Sequence, residues 1–126
     1  MNIKEWLNRA RCTEEILKTL ESEKEYTRNL IFSGQNADYK ILIKKYFEYE
    51  EKINIEIDKL IDIKKEILSV IVQVEDIRSK QLLTLRYLEN KTWDDVSEIM
   101  NYDLRWIHRK LHPQALRDAE RIRGSM

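Results

Sequence analysis

Breaker residues, cysteines and long apolar runs are all scarce in this sequence. The 126 residues include two glycines and one proline, whereas β-sandwiches and barrels need turn residues about every 8–12 positions. A turn-rich β-fold is therefore excluded. No run of about 18 apolar residues is present, which excludes a membrane-spanning helix. The single Cys12 cannot form an internal disulfide and the first residues lack the apolar core of a signal peptide, so we expect a cytoplasmic protein.

Charge of one sign is not in excess over the whole chain, although it is concentrated locally. The 23 basic and 23 acidic residues give a formal net charge of zero, which excludes a protein that coats nucleic acid by bulk charge. Residues 105–123, however, contain six basic side chains and only two acidic ones. A local basic surface is therefore predicted near the C-terminal end of the chain.

What the sequence does contain is long amphipathic repeats. Residues 3–32 and 39–74 each place apolar side chains at alternating spacings of three and four, the pattern of a coiled coil. Asn2, with Glu5 three residues later, can cap the first helix. The only turn-like cluster in this half is residues 33–38, where Asp38 can cap the second helix. The pattern predicts an antiparallel helical hairpin over residues 1–75 that acts as a scaffold or oligomerises the chain into a homodimer.

The pattern changes after residue 75. Asp76 and Thr92 can each cap a short helix, and Asn101 begins a tight turn that precedes a basic third helix. Three short helices in this order are typical of a helix-turn-helix unit, which we predict over residues 76–126. The fold class predicted for the whole chain is all-α.

In a helix-turn-helix unit the last helix enters the major groove of DNA. Arg105, Arg109 and His112, at spacings of four and three, are predicted to share one face of that helix. Arginine is suited to bidentate hydrogen bonds with guanine, and backbone phosphates attract cations and helix starts. The candidate base-reading residues are Arg105, Trp106, His108 and Arg109. The candidate phosphate-binding residues are Arg86, Lys91, Thr92, Lys110 and Arg117.

Pro113 falls inside the expected third helix. A proline at that position removes a hydrogen bond to Arg109 and clashes with its carbonyl, and it disfavours a helical conformation at His112. We therefore predict a break or bulge between Lys110 and Pro113, followed by a separate short helix from Pro113 to about Arg123.

Residues 76–116 resemble region 4 of the sigma-70-type transcription factors, which reads the −35 promoter element. The matching positions are Leu82, Leu83, Thr84, Leu85, Arg86, Tyr87, Leu88, residues 92–100, Asn101, Tyr102, Ile107, Ala115 and Leu116. The chain is more similar still to small sigma-region-4-like proteins of prophages in Gram-positive bacteria, akin to the ArpU-type late transcriptional regulators, as residues 56–67, 101–102 and 107–109 indicate. Between Ile107 and Ala115 the sequence carries one residue more than the usual spacing. The resemblance implies promoter-type DNA binding in phage gene regulation and contact with host RNA polymerase.

Three functions remain open at the level of sequence. The first is a sequence-specific regulator that binds double-stranded DNA. The second is a coiled-coil adaptor or RNA-polymerase-binding protein, and the third is a small-terminase-like DNA-packaging protein. The third family usually places its DNA-binding unit first, the reverse of the order here. Neither a nucleophile–base pair nor a phosphate-binding glycine loop is found, so no enzyme activity, cofactor or metal site is predicted.

Overall fold

The computed structural model describes residues 1–34 and 38–126. Every regular element in that part of the chain is helical, which confirms the all-α fold class. The α-helices are α1 (Ile3–Leu7), α2 (Arg9–Ser33), α3 (Tyr39–Ile71), α4 (Ile77–Leu83), α5 (Trp93–Met100), α6 (Leu104–Trp106) and α7 (His112–Ser125). Two π-helical segments, Thr84–Leu88 and Ile107–Leu111, directly follow α4 and α6. The predicted turn at residues 33–38 lies partly outside the described residues.

Helix starts coincide with the capping residues that the sequence predicts. The side chains of Asn2, Asp76 and Thr92 accept hydrogen bonds from the backbone N–H three residues later, at 2.8, 3.1 and 3.1 Å. Asp38 accepts a longer bond of 3.4 Å from the N–H of Ile41. These bonds satisfy donors that a helix start leaves without partners.

The described residues form two compact units. The central unit comprises residues 12–62, and the terminal unit comprises residues 1–11 together with residues 63–126. The sequence prediction places a domain boundary between residues 75 and 76, whereas these units divide the chain elsewhere. The seven-residue repeat continues through residues 63–74, so the pattern alone does not reveal where the packing partners of α3 change.

In the central unit, most buried positions of α2 and α3 follow the predicted repeat, but Ile57, which the repeat places inward, is 39% exposed and the half-buried position is Glu56. Leu17, Leu42 and Ile53 are buried. The polar Thr27 is buried as well, because its hydroxyl donates to the carbonyl of Glu23 at 2.9 Å and so remains hydrogen-bonded. Lys24, another polar position of the repeat, forms an ion pair of 3.3 Å with Glu50.

The terminal unit has a continuous apolar core. Its fully buried large side chains come from α1, the end of α3, the connection that follows α3, α4, α5 and the last helical region. They are Leu7, Ile67, Val70, Ile71, Val74, Leu82, Leu83, Val96, Ile107 and Leu111. The α1 helix packs against α7, and Arg123 Nη2 donates to the carbonyl of Met1 at 3.2 Å. The first helix of the chain is therefore part of the fold that carries the C-terminal helices.

Proline 113 does not break the last helical region, so the predicted separate helix from Pro113 is wrong. The chain continues from α6 through the Ile107–Leu111 π segment into α7, and His112 is helical with φ −62° and ψ −47°. Pro113 lies in the first turn of α7, where a missing N–H is tolerated. A bulge is present as the Ile107–Leu111 π segment, which begins three residues before the predicted Lys110–Pro113 interval and overlaps it at Lys110 and Leu111.

Candidate nucleic-acid interface

The candidate interface begins at the turn between α5 and α6. Asn101 ends α5 in the left-handed conformation, with φ 57° and ψ 43°, which asparagine tolerates better than most residues. The Asp103 carboxylate then accepts hydrogen bonds from the N–H groups of Arg105 at 2.8 Å and Trp106 at 3.4 Å. The turn and the cap together set the direction of the following helical region.

That region has one buried side and one exposed basic side. Ile107 and Leu111 are buried, whereas Arg105, His108 and Arg109 are exposed. Three of the four predicted base-reading side chains are thus open to a ligand. The fourth, Trp106, is half-buried.

Several of the exposed cations are not held by acidic neighbours. Among the described residues, no ion pair involves Arg105, Arg109 or Lys110. Their charges are therefore not neutralised within the chain. An anion that approaches this surface does not have to displace an intramolecular carboxylate.

Trp106 packs in a small aromatic and cationic cluster. Its ring lies 4.9 Å from that of Tyr102, centroid to centroid, and the guanidinium of Arg78 lies 5.6 Å from the Trp106 centroid. Such contacts favour an arginine over an aromatic face. Sequence reasoning did not select Arg78, because α4 shows no basic cluster. Its guanidinium lies beside Trp106 and also forms an ion pair with Asp76, with 4.0 Å between Nε and Oδ1, so its charge is partly compensated.

The predicted common face of Arg105, Arg109 and His112 is wrong, because His112 is buried. Its Nε2 shares a hydrogen bond of 2.7 Å with the Tyr87 hydroxyl, and its ring meets that of Trp93 at 4.7 Å between centroids. The π segment changes the register of the residues that follow it, so the spacing of four and three does not produce one face. His112 supports the interface from beneath.

Burial determines the protonation states of His112 and its hydrogen-bond partner Tyr87. The pKa of His112 is lowered from 6.5 to about 4, chiefly because burial disfavours the imidazolium and also because Lys4, His108 and Arg86 are nearby. Burial raises the pKa of Tyr87 from 10.0 to about 12. Both groups are therefore neutral at neutral pH.

The predicted phosphate-binding residues fall into two groups. Thr92, Lys110 and Arg117 are exposed, and the Thr92 hydroxyl caps α5. Arg86 and Lys91 are half-buried and contact each other, with Arg86 Nη1 donating to the Lys91 carbonyl at 2.8 Å.

Arg86 has a structural role in addition to the predicted one. Its guanidinium lies 4.6 Å from the centroid of the Trp93 ring, and desolvation lowers its pKa. Arg11 holds the same turn by donating to Asn90 Oδ1 at 2.8 Å. Sequence reasoning missed Arg11 because 79 residues separate the two partners.

Other binding chemistries find less support in the part of the chain that the structure describes. No group of three His, Cys, Asp or Glu side chains there could hold a metal ion. None of the helices described here has both the length and the apolar character needed to span a membrane.

In comparisons with known proteins, no family model, curated protein or solved structure matches this chain.

Proposed function

We propose that this chain is a sequence-specific transcriptional regulator that binds double-stranded DNA through a helix-turn-helix unit similar to sigma-70 region 4. In this proposal α5 is the first helix of the motif, residues 101–103 are its turn, and the region that starts at Leu104 is the recognition helix. The protein is of prophage origin, contacts host RNA polymerase, acts in the bacterial cytoplasm and has no catalytic activity. The observation that carries the proposal is the exposed basic side of the recognition helix, where Arg105, Arg109 and Lys110 form no ion pair with any residue that the structure describes.

The exposed side chains divide into two roles. Arg105, His108 and Arg109, with Trp106 beside them, lie at the start of the recognition helix, the part that contacts base edges in helix-turn-helix proteins. Lys110, Arg117, Thr92, Lys91 and Arg86 supply positive charge and hydrogen-bond donors for phosphates. In the same proposal α2 and α3 form an antiparallel hairpin, which makes the chain a homodimer.

A second function is favoured by a different observation. In the central unit, Phe32 and Phe47 are 76% and 59% exposed, and exposed apolar side chains of this size are typical of protein-binding surfaces. An adaptor that binds a protein, such as RNA polymerase, would use this surface and would not need the basic helix. DNA binding discriminates between the two functions.

The first experiment selects binding sites from a random duplex library and measures affinity by fluorescence anisotropy over a salt series. We expect tight binding to selected duplexes, weaker binding to random duplex, and log K that falls linearly with log salt concentration. Equal binding to both duplexes, or no binding to either, would support the adaptor.

Two substitutions separate base reading from phosphate binding. Arg109→Ala should weaken binding to the selected duplex by about 1–3 kcal/mol and relax specificity at one base pair, whereas Lys110→Ala should weaken binding to all duplexes and lower the salt slope by about 1. The matched control is Lys18→Ala, which removes one exposed charge from α2. If Arg109→Ala binds like this control, Arg109 does not read a base.

A further inference from the structure

In the central unit, α3 carries an exposed apolar row beside its buried one. The buried or half-buried repeat positions of α3 in this unit are residues 42, 46, 49, 53, 56 and 60. The residue that directly follows each of them belongs to what we call the second row: Ile43, Phe47, Glu50, Asn54, Ile57 and Ile61. Its four apolar members are between 39% and 59% exposed. The residues one position before the buried repeat are Ile41, Lys45, Glu48, Lys52, Ile55 and Lys59. Four of the six second-row residues are apolar, against two of the six, Ile41 and Ile55, on the other flank.

The two ends of the second row have different shapes. At the start of α3, Ile43 and Phe47 line an open apolar groove of about 330 Å³ with Ile31, Phe32, Tyr46 and Arg28. At the other end, Ile57 and Ile61 are exposed on the same side of the helix. One end thus offers a groove and the other offers aliphatic side chains that can enter it.

We propose that the second row is the interface of a homodimer in which α3 packs antiparallel against α3 of a second copy. The spacing along the row is four, three, four, three and four, which is the same from either end. A twofold axis near residue 52 therefore places Ile43 against the second copy's Ile61 and Phe47 against its Ile57. Self-complementarity of this kind is what a twofold interface requires.

The charges beside the row favour the same register. Lys44 and Asp58 are both exposed. With the axis at residue 52 they lie two residues, about 3 Å, from level with each other across the interface, a diagonal distance that a lysine side chain spans, and the dimer contains two such opposite-charge pairs. At the axis, Glu50 faces the second copy's Asn54, a polar pair of the kind that fixes the register of a coiled coil. The two copies of Glu51 are offset by the same amount, and this like-charge pair opposes association.

The dimer is a property of the central unit, and its use in gene regulation rests on the proposed function, because two copies present two recognition helices to DNA. The homodimer proposal and the DNA-binding proposal can each be contradicted independently of the other. Oligomeric state is measured without DNA, and binding to selected duplexes is measured on the same proteins afterwards.

The first test is sedimentation equilibrium of the full chain and two double variants, with helical content checked by circular dichroism. We expect a dimer for the unchanged chain, a monomer for Ile57→Lys with Ile61→Lys, and a dimer for the control Ile41→Lys with Ile55→Lys on the other flank. The control residues are as exposed as the test residues, at 53% and 51% against 39% and 48%. A monomeric unchanged chain, or a control that dissociates while the test variant does not, would overturn the proposal.

The second test addresses the register. Lys44→Asp and Asp58→Lys should each raise the dimer dissociation constant about fivefold or more, because each creates two like-charge pairs, and the combined variant should recover most of the loss. Glu51→Gln should lower the dissociation constant. Losses that add in the combined variant, with no recovery, would contradict the antiparallel register even if the chain is dimeric.

Discussion

At the scale of single residues, the best-defined chemistry is that of His112 beneath the proposed recognition helix. The ring is buried, shares its Nε2 hydrogen bond with Tyr87 and packs against Trp93. Cations at Lys4 and Arg86 are near it. Protonation of His112 would place a further positive charge in this buried cationic surrounding, so the folded chain holds the neutral imidazole.

This arrangement predicts a pH-dependent stability. The folded pKa of about 4 is below the unfolded value of 6.5, so the unfolded chain binds the proton first as pH falls. The contribution is complete above pH 6.5 and is lost between pH 6.5 and about 4, by up to roughly 3 kcal/mol. Urea unfolding over this range should show the decrease. His112→Gln, which cannot titrate, should flatten it, and an equal slope in both proteins would contradict the assignment.

The exposed site residues were more predictable than the buried ones. The apolar Ile107 and Leu111 define the buried side of their helical region, and Arg105, His108 and Arg109 are polar residues before and between them. This periodicity can be seen in the sequence and predicts that the three basic side chains are exposed. The burial of His112 depends on a π segment and on Tyr87, 25 positions earlier. The spacing of residues along the chain predicts neither the π segment nor the contact with Tyr87.

At the scale of elements, the turn between α5 and α6 controls where the proposed recognition helix begins. The N–H of Tyr102 donates to the Ser97 carbonyl at 3.3 Å, and the Ser97 hydroxyl donates to the Tyr102 carbonyl at 2.6 Å. These bonds close the end of α5 around Asn101. The geometry of this turn therefore requires the left-handed conformation at Asn101.

The backbone conformation of the turn predicts different effects on stability for two substitutions of Asn101. Asn101→Ala should lower the free energy of unfolding by about 1 kcal/mol, because alanine disfavours positive φ, whereas Asn101→Gly should change it by less than about 0.5 kcal/mol. Urea midpoints at unchanged m-value measure both. Equal losses in the two variants would mean that the asparagine side chain, rather than the backbone conformation, matters.

Most helix positions could be predicted from the sequence because caps and apolar periodicity are local. Asn2, Asp76 and Thr92 begin helices as expected. The two π segments could not be predicted, since the difference between an α turn and a π turn is set by packing over several turns. Pro113 indicated that the helix is irregular nearby, but the sequence did not show that the irregularity is a π segment.

At the scale of the whole molecule, the fold of the terminal unit depends on residues from both ends of the sequence. Leu7 is fully buried, α1 packs against α7, and Arg11 bonds to Asn90 before α5. The sequence repeat groups residues 1–11 with the long helices, because an amphipathic pattern shows which face is buried but does not identify its partner.

This architecture predicts that an N-terminal substitution weakens the C-terminal helices. Leu7→Ala should cost about 2–5 kcal/mol of stability and lower hydrogen-exchange protection in α7. Ile16→Ala, at an exposed position of α2, should have an effect of less than about 0.5 kcal/mol. If protection in α7 is the same in the Leu7 variant and in this control, α1 is not part of the terminal core.

The discontinuous terminal unit also bears on the order in which the protein is formed on the ribosome. Residues 12–62 are contiguous, so their compact unit has all its parts early in synthesis. The α1 helix is synthesised before that unit, yet its packing partner in α7 follows about a hundred residues later. Until α7 is made, Ile3 and Leu7 lack part of their native cover, and the nascent chain exposes these apolar side chains to chaperones while residues 8–111 are synthesised.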